Sequence, residues 1–215
     1  LIKPKFPNTP FLTMKKLQLI LLLLFASVTV FAQKKHEKQI HKFQKELNAS
    51  YANPESSPLM PEDLASFTSL DFFPIDAKLR IEAKFIRTEG SKPFKMKTST
   101  DREPIYVKYG EAVFTIDGKE QTLSIYQSQT LSKTKEYEDY LFIPFTDLTC
   151  GEESYGGGRY LDLNIPKSDM IVLDFNKAYN PYCAYSNRYS CPVPPKENRL
   201  KVAIRAGVKS FKKHE

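Results

Sequence analysis

Beyond Phe72 the apolar residues of this chain settle into a period of two, and that period limits the folds open to it. The clearest run is Leu79, Ile81, Ala83 and Phe85, interleaved with Lys78, Arg80, Glu82 and Lys84. Successive strand side chains point to opposite faces, so this alternation specifies a strand with one buried and one wet face. Residues 107–127 read as a hairpin about Asp117-Gly118, a dipeptide that tolerates the positive φ angles of a tight hairpin turn. Further strands are expected at residues 140–145, 159–163, 170–175 and 200–206. They are closely spaced, joined by turns and free of helical patterns. The expected fold is therefore mainly β: an antiparallel β-barrel or sandwich.

One or two helices precede it. Ile40, Phe43, Leu47 and Tyr51 recur at steps of three and four, one stripe of an amphipathic helix over residues 34–52 that Asn53-Pro54 stops. Pro61-Glu62-Asp63-Leu64 reads as a short helical start, with proline first and acids in the first turn.

Met14 opens a secretory signal. Lys15 and Lys16 form its positive region, residues 17–30 its apolar run, and Val30-Phe31-Ala32 its cleavage site. Translation is expected to start at Met14, which makes residues 1–13 a non-native upstream extension, 14–32 a signal peptide and 33–215 a single globular domain. A membrane anchor is the rival reading, but the run falls short of the ~20 apolar residues a span needs. The expectation is an exported chain, periplasmic or extracellular, soluble and without a stable membrane span after cleavage. The leader carries four lysines and no acid, so a net charge of +7 falls to +3 once it is removed. The remaining basic residues are dispersed rather than striped, which argues against a nucleic-acid partner.

Residues 155–198 form a long Pro/Tyr-rich loop region. They contain YGGGRYLDL and DFNKAYNPYCAYSNRYSCPVPPKEN, and hold six of the twelve tyrosines and two of the three cysteines. Together with FFPID, LFIPFTDLTCGEES and the later IRAG, these strings resemble an uncharacterised bacterial family catalogued as domain of unknown function 1684. The resemblance runs over roughly residues 34–211 and implies no activity, substrate or cofactor. It implies only that Arg159, Tyr160, Asp174, Asn176, Cys183, Cys191, Pro192, Asn198 and Gly207 occupy the family's motif positions.

The residues themselves leave alternatives open. Gly156-Gly157-Gly158-Arg159 suits an anion-binding turn, or a glycine bulge with Arg159 paired to an internal acid such as Asp174. Asp162 and Asp174 stand on consecutive expected strands, where two carboxylates do acid–base work, hold a cation, or remain solvated charges. Cys183 and Cys191 suit a disulfide, buried structural thiols, or one reactive thiol; Cys150 reads as a buried or free thiol. Tyr179, Tyr182, Tyr185 and Tyr189 line a pocket for a sugar, lipid headgroup or aromatic ligand, or thicken the core of a chain without tryptophan. His36, His41 and His214 lie near the termini. Triad or zinc chemistry would need a terminus folded into the centre, so no metal site is expected.

The leading expectation is an envelope protein that binds a small anionic or polyhydroxylated ligand. The candidate ligand residues are Arg159, Tyr160, Asp162, Asp174, Asn176, Tyr182, Tyr185, Glu197 and Asn198. A hydrolase using carboxylates or Cys183 is one alternative, and a purely structural envelope protein is the other. Cofactor requirement and ligand identity are not legible in the sequence.

Overall fold

The computed structural model describes residues 10–211. Residues 1–9 and 212–215, His214 among them, lie outside the described residues, as do most side chains of the expected signal segment. Helix α1 (Pro10–Ala52) runs without a break through the expected cleavage point. Its stripe is realised: His36, Ile40 and Tyr51 are buried, with Phe43 and Leu47 half-buried. This face packs against the short 3-10 turns Ala77–Leu79 and Phe175–Lys177. Among the described residues no helix is long and apolar enough to cross a membrane. Helix α2 (Pro61–Ser66) starts on its proline, with Glu62 and Asp63 in the first turn.

Seven strands follow: β1 (Arg80–Arg87), β2 (Phe94–Lys95), β3 (Ile105–Ile116), β4 (Lys119–Ser128), β5 (Tyr140–Phe145), β6 (Arg159–Asn164) and β7 (Met170–Asp174). They form one antiparallel sheet in the order β6-β5-β4-β3-β1-β7, with β2 added to β3, and the sheet curls into a half-barrel. The β3–β4 hairpin turns at Asp117-Gly118, where φ is 49° and 73°. Two successive left-handed residues match the right-handed twist of the strands they join.

The consecutive strands β6 and β7 end on opposite edges of the sheet, so they do not pair as neighbours. The curl brings those edges together just past β7. There Tyr160 and Tyr179 exchange both backbone hydrogen bonds, at 2.9 and 3.1 Å.

The sheet is apolar on both faces at β4–β6. Leu123, Ile125, Leu141, Ile143, Phe145 and Leu161 point into the main core with Leu173, Phe175 and Ile204. Burying each such side chain contributes roughly 1.5–3 kcal/mol. Their alternates Tyr126, Phe142 and Tyr160 join Tyr106, Met96 and Cys191 in a separate aromatic cluster on the opposite face. A β-bulge between Lys108 and Gly110 lets one strand serve both clusters, because it shifts the side-chain parity so that Tyr106 faces one and Ala112 and Phe114 the other. The Pro/Tyr-rich loop covers this second face.

One expected strand is absent. Residues 200–206 alternate as read, with Leu200, Val202, Ile204 and Ala206 all buried, yet they join no ladder. Backbone bonds to residues 146–148 hold their first half, Leu200 N donating to Thr146 O at 2.8 Å and Leu148 N to Val202 O at 3.1 Å, while side chains hold the second: Arg159 donates to the carbonyls of Ile204 and Ala206, and Asp147 accepts from the Ile204 amide. Alternation recorded burial here, not a place in the sheet.

Candidate functional site

Proline and tyrosine chemistry shapes the covering loop. Its 3-10 turns Phe175–Lys177, Tyr182–Ala184 and Lys196–Asn198 are separated by extended residues at Pro181 and Pro195. The near end is clamped to β6 by the Tyr160–Tyr179 exchange, and Asn180 Nδ2 donates to the Lys209 carbonyl at 2.8 Å. The far end lies along residues 97–99, with Val193 N donating to Lys97 O and Ser99 N to Cys191 O, both at 2.8 Å.

Between the loop and the sheet lies a cavity of about 320 Å³. Its walls are Tyr106, Tyr140, Phe142, Tyr160, Tyr179, Tyr182 and Tyr189, completed by Leu131, Pro181, Ser190, Cys191 and Pro192. No charged side chain lines it. The rings meet steeply, 75° between Phe142 and Tyr160 and 88° between Tyr160 and Tyr179. Three hydroxyls are already engaged: Tyr140 and Tyr179 donate to Asp162 Oδ1 at 2.7 and 2.8 Å, and Tyr160 donates to the Pro192 carbonyl. Burial holds the Tyr140, Tyr160 and Tyr179 phenols above their ordinary pKa, so the cavity walls stay neutral.

Of the candidate ligand residues, Tyr160 and Tyr182 line this cavity, Tyr182 being 42% exposed at its rim. Asp162 stands behind it and lines a neighbouring cleft with Asp174, Arg80, Gln39 and Lys177. Protein crowding raises the Asp162 carboxyl pKa, while the two phenols oppose the rise; its own surface remains open to solvent, which tempers the crowding.

The remaining candidates are built into the fold. Arg159 is fully buried and does not grip a ligand. It pairs with Asp147, not Asp174, at 2.8 Å, donates to Ile204 O at 2.7 Å, and bonds the carbonyls of Ala206 and Val208. Asn176 is held by Asp76 and Asp174. Asn198 cross-links β4 and β5, accepting from Ser124 N at 2.7 Å and donating to Ser124 O and Pro144 O at 2.8 Å. Tyr185 packs fully buried against Tyr51 and Phe211, and Glu197 accepts from Tyr126 on the exterior. Asn176 and Asn198 are buried and hydrogen-bonded and Arg159 is buried against an acid, and nothing in a one-dimensional string separates that role from ligand binding.

Cys183 and Cys191 are neighbouring unbridged thiols. The Cys183 amide donates to Cys191 Sγ at 3.1 Å, and the Tyr155 hydroxyl lies 3.7 Å from Cys183 Sγ. The hydrogen bond from Cys191, helped by Tyr155, brings the Cys183 thiol down to about 6, and the same bond pushes Cys191 up. Cys150 is also free, half-buried beside Asp147.

His36 reaches the centre despite its place near the N-terminus. The N-terminal helix does fold onto the centre, and His36 Nε2 sits 2.8 Å from Asp174 Oδ2 in a nearly buried pair. The available signal was Asp174 itself, a charge within an apolar segment that needed a partner. Among the described residues no group of three or more His, Cys, Asp or Glu side chains is placed to hold a metal.

The family model for proteins of unknown function DUF1684 matches residues 65–209, and the chain belongs to that family. The match begins after α1, so it covers less than the expected span. The structure is similar to the solution NMR structure of an uncharacterized protein from Haloarcula marismortui, with 34% identity and a TM-score of 0.66 over 85% of this chain and 98% of that one. That relative is archaeal, so the fold is not confined to bacteria. No curated protein matches.

Proposed function

We propose that this member of the family is a binding module whose site is the aromatic cavity between the loop and the sheet. The observation that carries the reading is a cavity of about 320 Å³ walled by seven aromatic rings and no charged side chain. Its size sits at the lower end of the roughly 300–1,000 Å³ typical of small-molecule sites. The anionic ligand expected from Arg159 loses its anchor, since that guanidinium is sealed in the interior. An uncharged or aromatic-compatible ligand remains.

The proposal extends to export. Lys15, Lys16 and the apolar run ahead of Ala32 support secretion of the chain from Gln33 onward. In an oxidising compartment Cys183 and Cys191 would close a short loop and stabilise the fold by roughly 2–3 kcal/mol on the chain-entropy view. Amino-terminal sequencing of the secreted protein tests the first claim; a mature chain that retains residues 14–32 overturns it.

The hydrolase alternative has one observation in its favour, the His36–Asp174 pair beside the cleft that Asp162 also lines. Against it, Asp174 Oδ1 is taken by Asn176, and among the described residues no hydroxyl or thiol is hydrogen-bonded to His36. The deciding experiment is a thermal-shift screen with sugars, aromatic acids, nucleosides and ammonium compounds, because native-state binding raises the midpoint by mass action. A hit lost in Tyr182→Ala supports the cavity. A hit unaffected by that rim substitution, or a flat screen on folded protein, favours a structural role or another site.

A further inference from the structure

We propose that the cavity is an aromatic cage for an organic cation, a quaternary or methylated ammonium group. The inference deepens the binding-module reading and rests on it. A flat sugar asks for one or two parallel ring faces and for free hydroxyls. This pocket opens to solvent on one side, and its rings pack edge to face, 75° and 88° at two successive contacts, so they present no single flat platform. The hydroxyls of Tyr140, Tyr160 and Tyr179 are turned to internal acceptors. What remains for a ligand is mostly ring face, which carries the negative lobe of the aromatic quadrupole and attracts a desolvated cation.

The wall charge has the matching sign. Asp162 accepts from both Tyr140 and Tyr179, so one carboxylate lies behind two rings of the cage, on the side of the neighbouring cleft. A phenol that donates to a carboxylate is polarised toward phenolate, which strengthens the negative face its ring presents. No lysine, arginine or histidine lines the cavity to repel a cation. Of the chain's own cations, Arg188 packs 5.0 Å above the Tyr189 ring, held by the carbonyls of Ser57 and Leu59. Arg102 bonds Ser190 Oγ and the Ser190 carbonyl on the same side of the rim, so the Tyr189–Ser190 side is the poorest wall, and the bound cation is placed toward Tyr140 and Tyr179, in front of Asp162.

The test compares choline with 3,3-dimethyl-1-butanol, its uncharged isostere, by calorimetric titration of the folded protein. Choline and tetramethylammonium are expected to bind, and the uncharged isostere at least tenfold more weakly. Tyr182→Leu keeps apolar bulk and removes one rim ring, so it should weaken choline several-fold. Asp162→Asn should weaken choline several-fold while leaving the isostere unchanged, a difference a merely structural carboxylate would not produce. Phosphatidylcholine vesicles give the second arm: co-sedimentation that free choline displaces assigns the headgroup as the source, and choline binding without it assigns a free solute. Equal binding of choline and its isostere overturns the cation class but keeps the cavity as a binding site. Failure of every ammonium probe also overturns it, and an aromatic or sugar hit lost in Tyr182→Ala would then keep the cavity. Failure of all probes overturns both readings.

Discussion

Arg159 and Asp147 form an ion pair with both side chains at 0% exposure, and removing either partner should reveal a structural rather than a ligand-binding role. Asp147→Asn keeps the size of the side chain and an oxygen for Thr149 and Ile204, but sets an amide donor or a neutral oxygen against the guanidinium. The stranded buried charge should cost about 3–5 kcal/mol. Arg159→Met should cost at least as much. It strands the carboxylate and also strips the carbonyls of Ile204 and Ala206 of their donor, each unsatisfied buried group adding roughly 1–3 kcal/mol. In the double variant no charge is left stranded, so its loss should resemble Arg159→Met alone, which makes the coupling as large as the Asp147→Asn loss, about 3–5 kcal/mol. Urea unfolding at constant m-value resolves such differences against a total stability of roughly 5–15 kcal/mol. Single losses under about 1 kcal/mol, or strictly additive losses, would refute the argument. So would loss of cavity binding at full stability in Arg159→Met.

Three further outcomes are expected. Gly207→Ala should lower the thermal midpoint by roughly 4–10 °C, a loss of about 2–3 kcal/mol in a domain this size, because the residue has φ 79° and an added Cβ would lie 2.3 Å from the Ala178 carbonyl; scanning calorimetry reads it directly. Asn198→Ala should cost roughly 3 kcal/mol by leaving Ser124 and Pro144 backbone groups unpaired between β4 and β5, as chemical denaturation would measure. In reduced protein, alkylation of Cys183 should rise as pH climbs through about 6, since the thiolate is the nucleophile and exists above its pKa; Cys191→Ala should move that midpoint upward by removing the thiol that stabilises it. A Cys183 profile unchanged in that variant would count against the hydrogen-bonded pair.

Local chemistry wrote much of the architecture directly into the chain. Period-two alternation placed β1, the left-handed Asp117-Gly118 pair placed the β3–β4 hairpin, and the Ile40-to-Tyr51 stripe placed the buried face of α1. Each depends on neighbours within a few residues, which is the range over which side-chain periodicity and turn geometry act. The Pro/Tyr-rich loop was legible as a special segment for the same reason. Its role was not, because burial and binding draw on the same polar residues.

Tertiary structure decided which of those residues face a ligand. Sequence order set β6 beside β7, whereas the sheet carried them to opposite edges and let the curl rejoin them through Tyr160 and Tyr179. The sequence offered Asp174 among the possible partners of Arg159, but the fold gave it Asp147 and gave Asp174 to His36, 138 residues away. The β-bulge at Lys108 and Gly110 turned Tyr106 to the second face, where it meets Phe142 and Tyr160. Partner choice among buried charges and rings is fixed by long-range packing, because each group takes whichever complementary group the closed sheet brings within reach. The chain itself determines strands, turns and the need for partners; only the curled sheet determines who the partners are and where a cavity is left.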